Sequence, residues 1–393
     1  MGKSIAPTFV SLFSGCGGLD LGFTYGGFKG NLSVDIDDAA LTVHRAFLSS
    51  PTQKLDLTHA NPSLSRNEHP DVLLAGSPCQ GFSTAGKRIL HDPRNSLLFV
   101  VARVADQLKP KVVIVENVPG ALSGEHLVYW RRLHELMRAT GYKTSDLRVN
   151  SADLGVPQVR RRIFLVCWRT GADLNPPSGL PTSLVLKDVL HFSGHTSNHE
   201  PKALDELSTD FRIALRIAPG QKLTNARGGL SAVHTWHIPE VFGRSTKLEK
   251  EVLEAVLKLR RQVRRREVGD ADPVSTKLLT SQFGCDVLSR LVAKGFLRQV
   301  GKYHDLTHTF NGKYRRLVAD APSRTVDTRF GDPKLFLHPV EHRAFTVREA
   351  ARIQGFPDDM IFYGSRAQQF RMIGNAVPPP VGRYMAQVTL SLL

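Results

Sequence analysis

Thr8-Phe9-Val10-Ser11-Leu12-Phe13 runs straight into Ser14-Gly15-Cys16-Gly17-Gly18 and then Leu19-Asp20-Leu21-Gly22-Phe23. β-Branched and aromatic residues favour a strand, the glycine cluster punctuates it, and the apolar residues beyond recur at helical spacing. The stretch therefore reads as strand, tight turn, helix. A second apolar run over 32–36 ends among Asp35, Asp37 and Asp38 and leads into a helix through Phe47. Further strands are expected over 71–75, 111–115, 143–150 and 162–168, with a helix over 96–108. Parallel strands need a crossover long enough to hold a helix, so this alternation predicts an α/β chain with a doubly wound, mostly parallel, Rossmann-like sheet. Such sheets bind ligands at the carboxyl ends of their strands.

The alternation degrades at Asn175, Pro176, Pro177 and Pro181, where a domain boundary is expected. An apolar helix after the prolines at 378–380 is expected to dock on the earlier core, which gives a first domain of 1–180 plus 372–393 and a smaller one of 181–371.

The 393 residues are 41% hydrophobic and 22% charged, enough for an ordinary globular core and against disorder or a fibrous fold. No apolar run approaches the length of a membrane span, and the first ten residues lack the apolar core of a signal peptide. Four cysteines without a C-x-x-C pair argue against a disulfide framework and a structural metal site. A cytoplasmic protein without metal or membrane partner is expected.

Lys and Arg number 52 against 36 Asp and Glu, a formal charge of +16, which points to a polyanionic partner. Residues 1–180 hold 20 basic and 15 acidic side chains, whereas 181–393 hold 32 and 21, so the excess lies in the second half. The window 241–316 alone carries 17 against 8. Within it, 248–260 reads as an amphipathic helix, 276–283 and 286–293 as two short helices around a turn, and 296–309 as a polar hairpin. That order is compatible with a winged helix-turn-helix.

Four groups carry chemistry. Gly15-Cys16-Gly17-Gly18-Leu19-Asp20 departs from the dinucleotide fingerprint by placing Asp at its last glycine, but a glycine turn still lets a ligand approach the backbone. Asp35, ending the next strand, suits ribose hydroxyls. Cys79 follows the strand at 71–75 between Pro78 and Gly81, on a shaped turn at the ligand edge. Glu116 ends the strand at 111–115 on the same edge, and strand alternation sends Arg160 and Arg162 to one side and Arg161 to the other.

In this order the blocks 13–23, Pro78-Cys79-Gln80, Glu116-Asn117-Val118, Gln158-Val159-Arg160-Arg161-Arg162, Arg324-Thr325-Val326-Asp327-Thr328 and Gly374-Asn375-Ala376-Val377-Pro378 resemble the DNA (cytosine-5) methyltransferases. The resemblance covers 1–168 and 322–393, and leaves the basic stretch 181–320 as the variable target-recognition region. It implies the class I S-adenosylmethionine-dependent methyltransferase fold and a methyl transfer to C5 of a flipped cytosine. Cys79 would attack C6, Glu116 would hold N3 and the exocyclic amine, and Arg160 and Arg162 would contact the pyrimidine and its adjoining backbone.

By the same resemblance S-adenosyl-L-methionine would lie against Phe13, Gly15, Cys16, Gly17, Gly18, Asp35, Ile36, Asp56, Leu57, Pro78, Leu97 and Asn375. Double-stranded DNA would meet Gln80 and Ser83, and in the unmatched basic stretch Arg227, Arg315 and Arg316 are candidates for reading base edges. A compact prokaryotic or viral enzyme is implied, monomeric and paired with a restriction endonuclease of the same site. Two other readings stay open: an RNA cytosine-5 methyltransferase with the same blocks, and a catalytically inactive DNA-binding relative.

Overall fold

Strand β1 (Thr8–Leu12), helix α1 (Gly18–Tyr25), β2 (Lys29–Asp35), α2 (Asp38–Phe47), β3 (Thr52–Lys54) and β4 (Val72–Gly76) open the chain. Helix α3 (Leu97–Leu108), β5 (Val112–Asn117), α4 (Leu127–Ala139), β6 (Lys143–Asn150) and β7 (Arg161–Trp168) follow. This computed structural model describes residues 6–62, 69–78, 93–179, 184–265 and 271–393. The seven strands form one sheet in the order β3-β2-β1-β4-β5-β7-β6, parallel from β3 to β5 and antiparallel at β7 with both neighbours. The strand order reverses beside β1, which places the first glycine turn at the topological switch point.

Both faces of the sheet are apolar because both are covered. Val10, Leu12, Leu73, Val113, Val115 and Leu165 face one layer, where α3 and α4 contribute Leu98, Val101, Ala105, Trp130, Leu133 and Met137. Phe9, Val72, Leu74, Ile114, Phe164 and Val166 face the other, as the two-residue period of a strand requires.

The chain divides into two compact units: Met1–His199 with Asp320–Arg329 and Thr346–Leu393, and Glu200–Ala319 with Phe330–Phe345. In the second unit α5 (Lys247–Gln262), β8 (Val274–Ser275), α6 (Thr276–Phe283), α7 (Cys285–Ala293), β9 (Leu297–Val300) and β10 (Tyr303–Leu306) follow one another, and the strands pair antiparallel in the order β8-β10-β9. Their core gathers Val252, Leu253, Val256, Leu279, Leu288, Leu291, Phe296 and Leu306. Thr246 and Glu249 close a capping box at the start of α5, satisfying two backbone donors there.

Helices α8 (Val347–Ile353), α9 (Arg366–Asn375) and α10 (Pro379–Leu390) return to the first unit. The boundary expected at 371 therefore moves. Residues 346–371 belong with the sheet, as do 184–199 and 320–329, because polar anchors tie them there. The Gln158 amide donates to Gln354 Oε1 at 2.6 Å and its oxygen accepts from Val326 N–H at 2.7 Å. Ser323–Arg324 pairs parallel with Gln158–Val159, and the fully buried Arg348 guanidinium donates to the carbonyls of Ser197, Pro357 and Met360.

Helix α10 docks on α1 through Val381, Met385 and Ala386 against Leu19 and Phe23. At the crossing a Cβ on Gly22 would lie 2.4 Å from Gly382 Cα. A helical Gly→Ala change usually gains about 1 kcal/mol, but forcing a methyl into packed backbone costs about 1–3 kcal/mol or more, and here the contact is backbone that cannot rotate away. Gly22→Ala should therefore lower the stability of the first unit by about 2 kcal/mol, read as a lower midpoint in urea unfolding. An unchanged or raised midpoint would disprove this tight crossing.

Candidate active site

The turn after β1 is built from left-handed backbone: Phe13 has φ 55°, Gly15 φ 54° and Gly17 φ 90°. For Phe13 that region is costly, and such strain concentrates where function holds it. Asp35 supports the turn. Its carboxylate accepts the Gly15 N–H and the Asp37 N–H, each at 2.8 Å, while burial pushes its pKa up despite those bonds. A carboxylate has about four lone-pair positions, so Asp35 retains capacity for a hydroxyl ligand. Asp37 in turn caps α2 by accepting from Ala39 and Ala40 N–H.

Beneath the turn lies a buried polar cluster that sequence reasoning passed over. Asp20 accepts from Ser11 Oγ at 2.6 Å and Ser33 Oγ at 2.7 Å, and pairs with His44 Nε2 at 2.9 Å. Both Asp20 and His44 are fully buried. A Cβ on Gly17 would come within 2.7 Å of the His44 ring, so glycine is needed there for space as well as φ. The available signal was two serines and an aspartate inside otherwise apolar segments, at positions where unpaired polar groups would be costly.

The C-terminal return closes over the same turn. A Cβ on Gly18 would meet Val377 O at 2.3 Å, and Cys16 Sγ approaches Met372 O at 3.7 Å. Asn375, at the end of α9, is exposed beside these residues. Cys16 is almost fully buried, which pushes its thiol up to about 12, so its side chain faces the protein and only its backbone is available to a ligand. Alkylation at pH 8 should therefore spare Cys16 and modify the exposed Cys285, a pattern that peptide mass mapping checks.

The other expected cofactor positions fall at the same strand ends. Ile36, next to Asp35, is 61% exposed for an isoleucine, whereas Leu57 is 3% exposed and offers only backbone, its carbonyl accepting from Arg103 Nη2 at 2.9 Å. The Thr58 hydroxyl and, at 2.9 Å, the Thr58 N–H donate to Asp56 and hold its carboxyl below the ordinary value. Pro78 follows β4 and Leu97 begins α3. Cys79, Gln80 and Ser83 lie outside the described residues.

Glu116 and Arg162 meet at the carboxyl end of β5. Glu116 pairs in register with Phe164 of the antiparallel β7, so Arg162 is its diagonal neighbour on the same face. Arg162 Nε lies 2.7 Å from Glu116 Oε1, both side chains only slightly exposed. The backbone behind them is fixed by Asn117, whose Oδ1 accepts Val118 N–H at 2.8 Å and whose amide donates to Ser77 Oγ at 3.2 Å.

Two expected nucleic-acid contacts are corrected. Arg160 is 2% exposed, its guanidinium donating to the carbonyls of Val326, Gly374 and Ala376 at 2.9–3.0 Å. It is a positioning residue that ties three separate segments together. Arg316, also 2% exposed, donates to the carbonyls of Ala214, Ile217, His338 and Glu341, so its fork is used inside the second unit. Arg315 is half-buried on the strand paired with Phe336–Leu337, and Arg227 is exposed.

The sheet order, the glycine turn at its switch point and the carboxylate at the end of β5 define a class I methyltransferase fold. The chain belongs to the C-5 cytosine-specific DNA methylase family, whose model matches residues 7–390. It is 30% identical over 428 residues to Type II methyltransferase M.AgeI of Thalassovita gelatinovora, covering 96% of this chain and 98% of that one. It is 32% identical over 390 residues to Type II methyltransferase M.XorII of Xanthomonas oryzae pv. oryzae, covering 96% and 83%. A solved DNA modification methyltransferase encoded within an E. coli prophage shares the fold at a TM-score of 0.60 and 22% identity, covering 98% of this chain and 99% of its own.

Proposed function

We propose that this protein is a sequence-specific DNA (cytosine-5) methyltransferase that takes S-adenosyl-L-methionine as methyl donor and protects host DNA alongside a restriction endonuclease of the same specificity. The relatives named as Type II methyltransferases support the second part. The observation that carries the first is the Glu116–Arg162 pair, a carboxylate and a guanidinium 2.7 Å apart at the ligand edge of a sheet belonging to this family. The enzyme acts as a monomer on chromosomal DNA in the cytoplasm.

The residues of the turn fit the donor. Among the described residues, Ser14 Oγ is buried without a hydrogen-bond partner and a Cβ on Gly15 would meet nothing within 4 Å, so the turn there presents an unused polar atom beside open space. Phe13, Gly15, Gly17, Gly18, Asp35, Ile36, Asp56, Pro78, Leu97 and Asn375, with the backbone of Cys16 and Leu57, would hold it. When bound it supplies an electrophilic methyl group on a sulfonium.

The chain's own residues do the rest. Cys79 as thiolate adds to C6 of a cytosine extruded from the stack, and the C5–C6 electron pair becomes available at C5. Glu116 engages N3 and the exocyclic amine, and Arg162 orients Glu116 and contacts the pyrimidine. After methyl transfer a base removes the C5 proton, the double bond re-forms and the thiolate of Cys79 leaves.

The test supplies labelled methyl donor with genomic DNA and, separately, total RNA, using the intact protein and Cys79→Ser. Label at C5 of one cytosine within one short DNA sequence, lost in the variant, is expected. Label in RNA alone would replace the substrate, and duplex binding without label in either polymer would make this an inactive DNA-binding relative.

A further inference from the structure

The second unit carries a charged surface that the chemistry above does not use. Helix α5, β8, α6, α7 and the β9–β10 hairpin succeed one another, and Gly284 at φ 86° makes the tight turn between α6 and α7. Two short helices around a turn, followed by a hairpin whose strands join β8 in an antiparallel sheet, have the order of a helix-turn-helix with a wing. The three helices pack apolar faces on a shared core, while Leu248 and Leu278 stay exposed among the polar side chains outside it.

At the wing tip, Thr276 N–H donates to Lys302 O at 3.0 Å, binding the hairpin turn to the first turn of α6. That bond brings Lys302 and Lys277, both exposed, to the edge of one cavity of about 530 Å³. Arg265 reaches the same cavity from beyond the end of α5, Nη1 donating to the Tyr303 hydroxyl at 2.8 Å with its guanidinium 4.6 Å from the ring centre. Ser275 and Thr276 complete the polar lining, and among the described residues no carboxylate lines the cavity. The hydrogen bond from Arg265, with its charge and that of Lys302, holds the Tyr303 phenol below its ordinary value. Among the described residues, Asp272 meets Arg265 at its backbone N–H, and three cations along one cavity repel one another and favour an anion there.

We propose that residues 247–306 form a winged-helix module in which Lys277, Lys302 and Arg265 grip the phosphate backbone of duplex DNA, apart from the residues that handle the flipped base. This rests on the reading of duplex DNA as substrate. Phosphate contacts fix register and carry no base information, so the module strengthens binding to every sequence alike. Each neutralised phosphate releases counterion and adds about 0.9 to the slope of log K against log salt concentration.

The experiment compares the intact protein with Lys277→Ala/Lys302→Ala and with a control that also removes two exposed lysines, Lys143→Ala/Lys202→Ala. Duplex affinity is measured from low to high salt, and methyl transfer at saturating DNA. The test variant should lose about 2 from the salt slope and about 30-fold in affinity near 0.15 M salt, equally on target and non-target duplexes. Its turnover at saturating DNA should stay unchanged. In the unmodified protein, duplex should also slow acetylation of Lys277 and Lys302 about tenfold or more. The proposal is overturned by an unaltered slope, by an equal loss in the control, or by unprotected lysines. Absence of DNA methylation by the intact protein would instead overturn the substrate reading.

Discussion

Glu116→Gln should reduce turnover by about a thousandfold, within the usual 10²–10⁴ range for a positioned acid or base, while duplex affinity stays within about threefold. Glutamine keeps the shape of the side chain and an oxygen for Arg162 Nε, which now lies 2.7 Å from Glu116 Oε1, so the local geometry survives. In the proposed reaction it loses the ability to carry a proton to or from N3 as the thiolate adds at C6. An interaction needed only as the ring is activated lowers kcat and kcat/KM together and leaves ground-state binding alone. Single-turnover methyl transfer beside duplex binding reads both. A turnover within tenfold of the parent would remove Glu116 from the chemistry, and a matching loss of binding would make it a structural residue.

Arg160→Ala is the second change of large effect, and it acts on the fold. The guanidinium donates to the carbonyls of Val326 and Gly374, both buried, and of the half-buried Ala376, around a side chain that is itself 2% exposed. Hydrogen bonds from a charged donor contribute about 1.5–3 kcal/mol each, and buried acceptors left unpaired add their desolvation penalty. Counting the three bonds as partly coupled, a loss of about 5 kcal/mol is expected, in the range reserved for broken buried networks. Lysine at this position can reach fewer of the three acceptors and should recover only part of the loss. Denaturant unfolding of the first unit reads the effect. A variant within about 1 kcal/mol of the parent that had nonetheless lost activity would restore Arg160 to the contact with the base that the sequence pattern first suggested.

The architecture of the first unit was legible because its signals are local. The glycine turn at 13–18, the apolar strands at two-residue period and the intervening helices appear as expected, with β1, β4 and β5 adjacent in the sheet. The meeting of Glu116 and Arg162 was half visible: each lay at a strand end, but their contact depends on the antiparallel register that sets Phe164 opposite Glu116. Helix α4 and the short β3 drew no expectation. Strand β3 is only three residues, Thr52–Lys54, and α4 mixes its apolar positions with Arg131, Arg132, His134, Glu135 and Arg138.

The sequence by itself determined the class of fold and the family, because patterning, turn residues and motif order are written along the chain. Tertiary structure alone decided how the long polar side chains are spent. Arg160 and Arg316 sit among basic residues that read equally well as nucleic-acid contacts, yet both are enclosed by backbone carbonyls contributed by distant segments. Asp20 and His44, 24 residues apart, become one buried pair under the glycine turn. Residues 346–371 join the first unit through Gln354 and Arg348, whose partners lie far away in sequence. A buried arginine must find acceptors wherever the fold brings them, and that depends on packing between segments, which the spacing of residues does not encode.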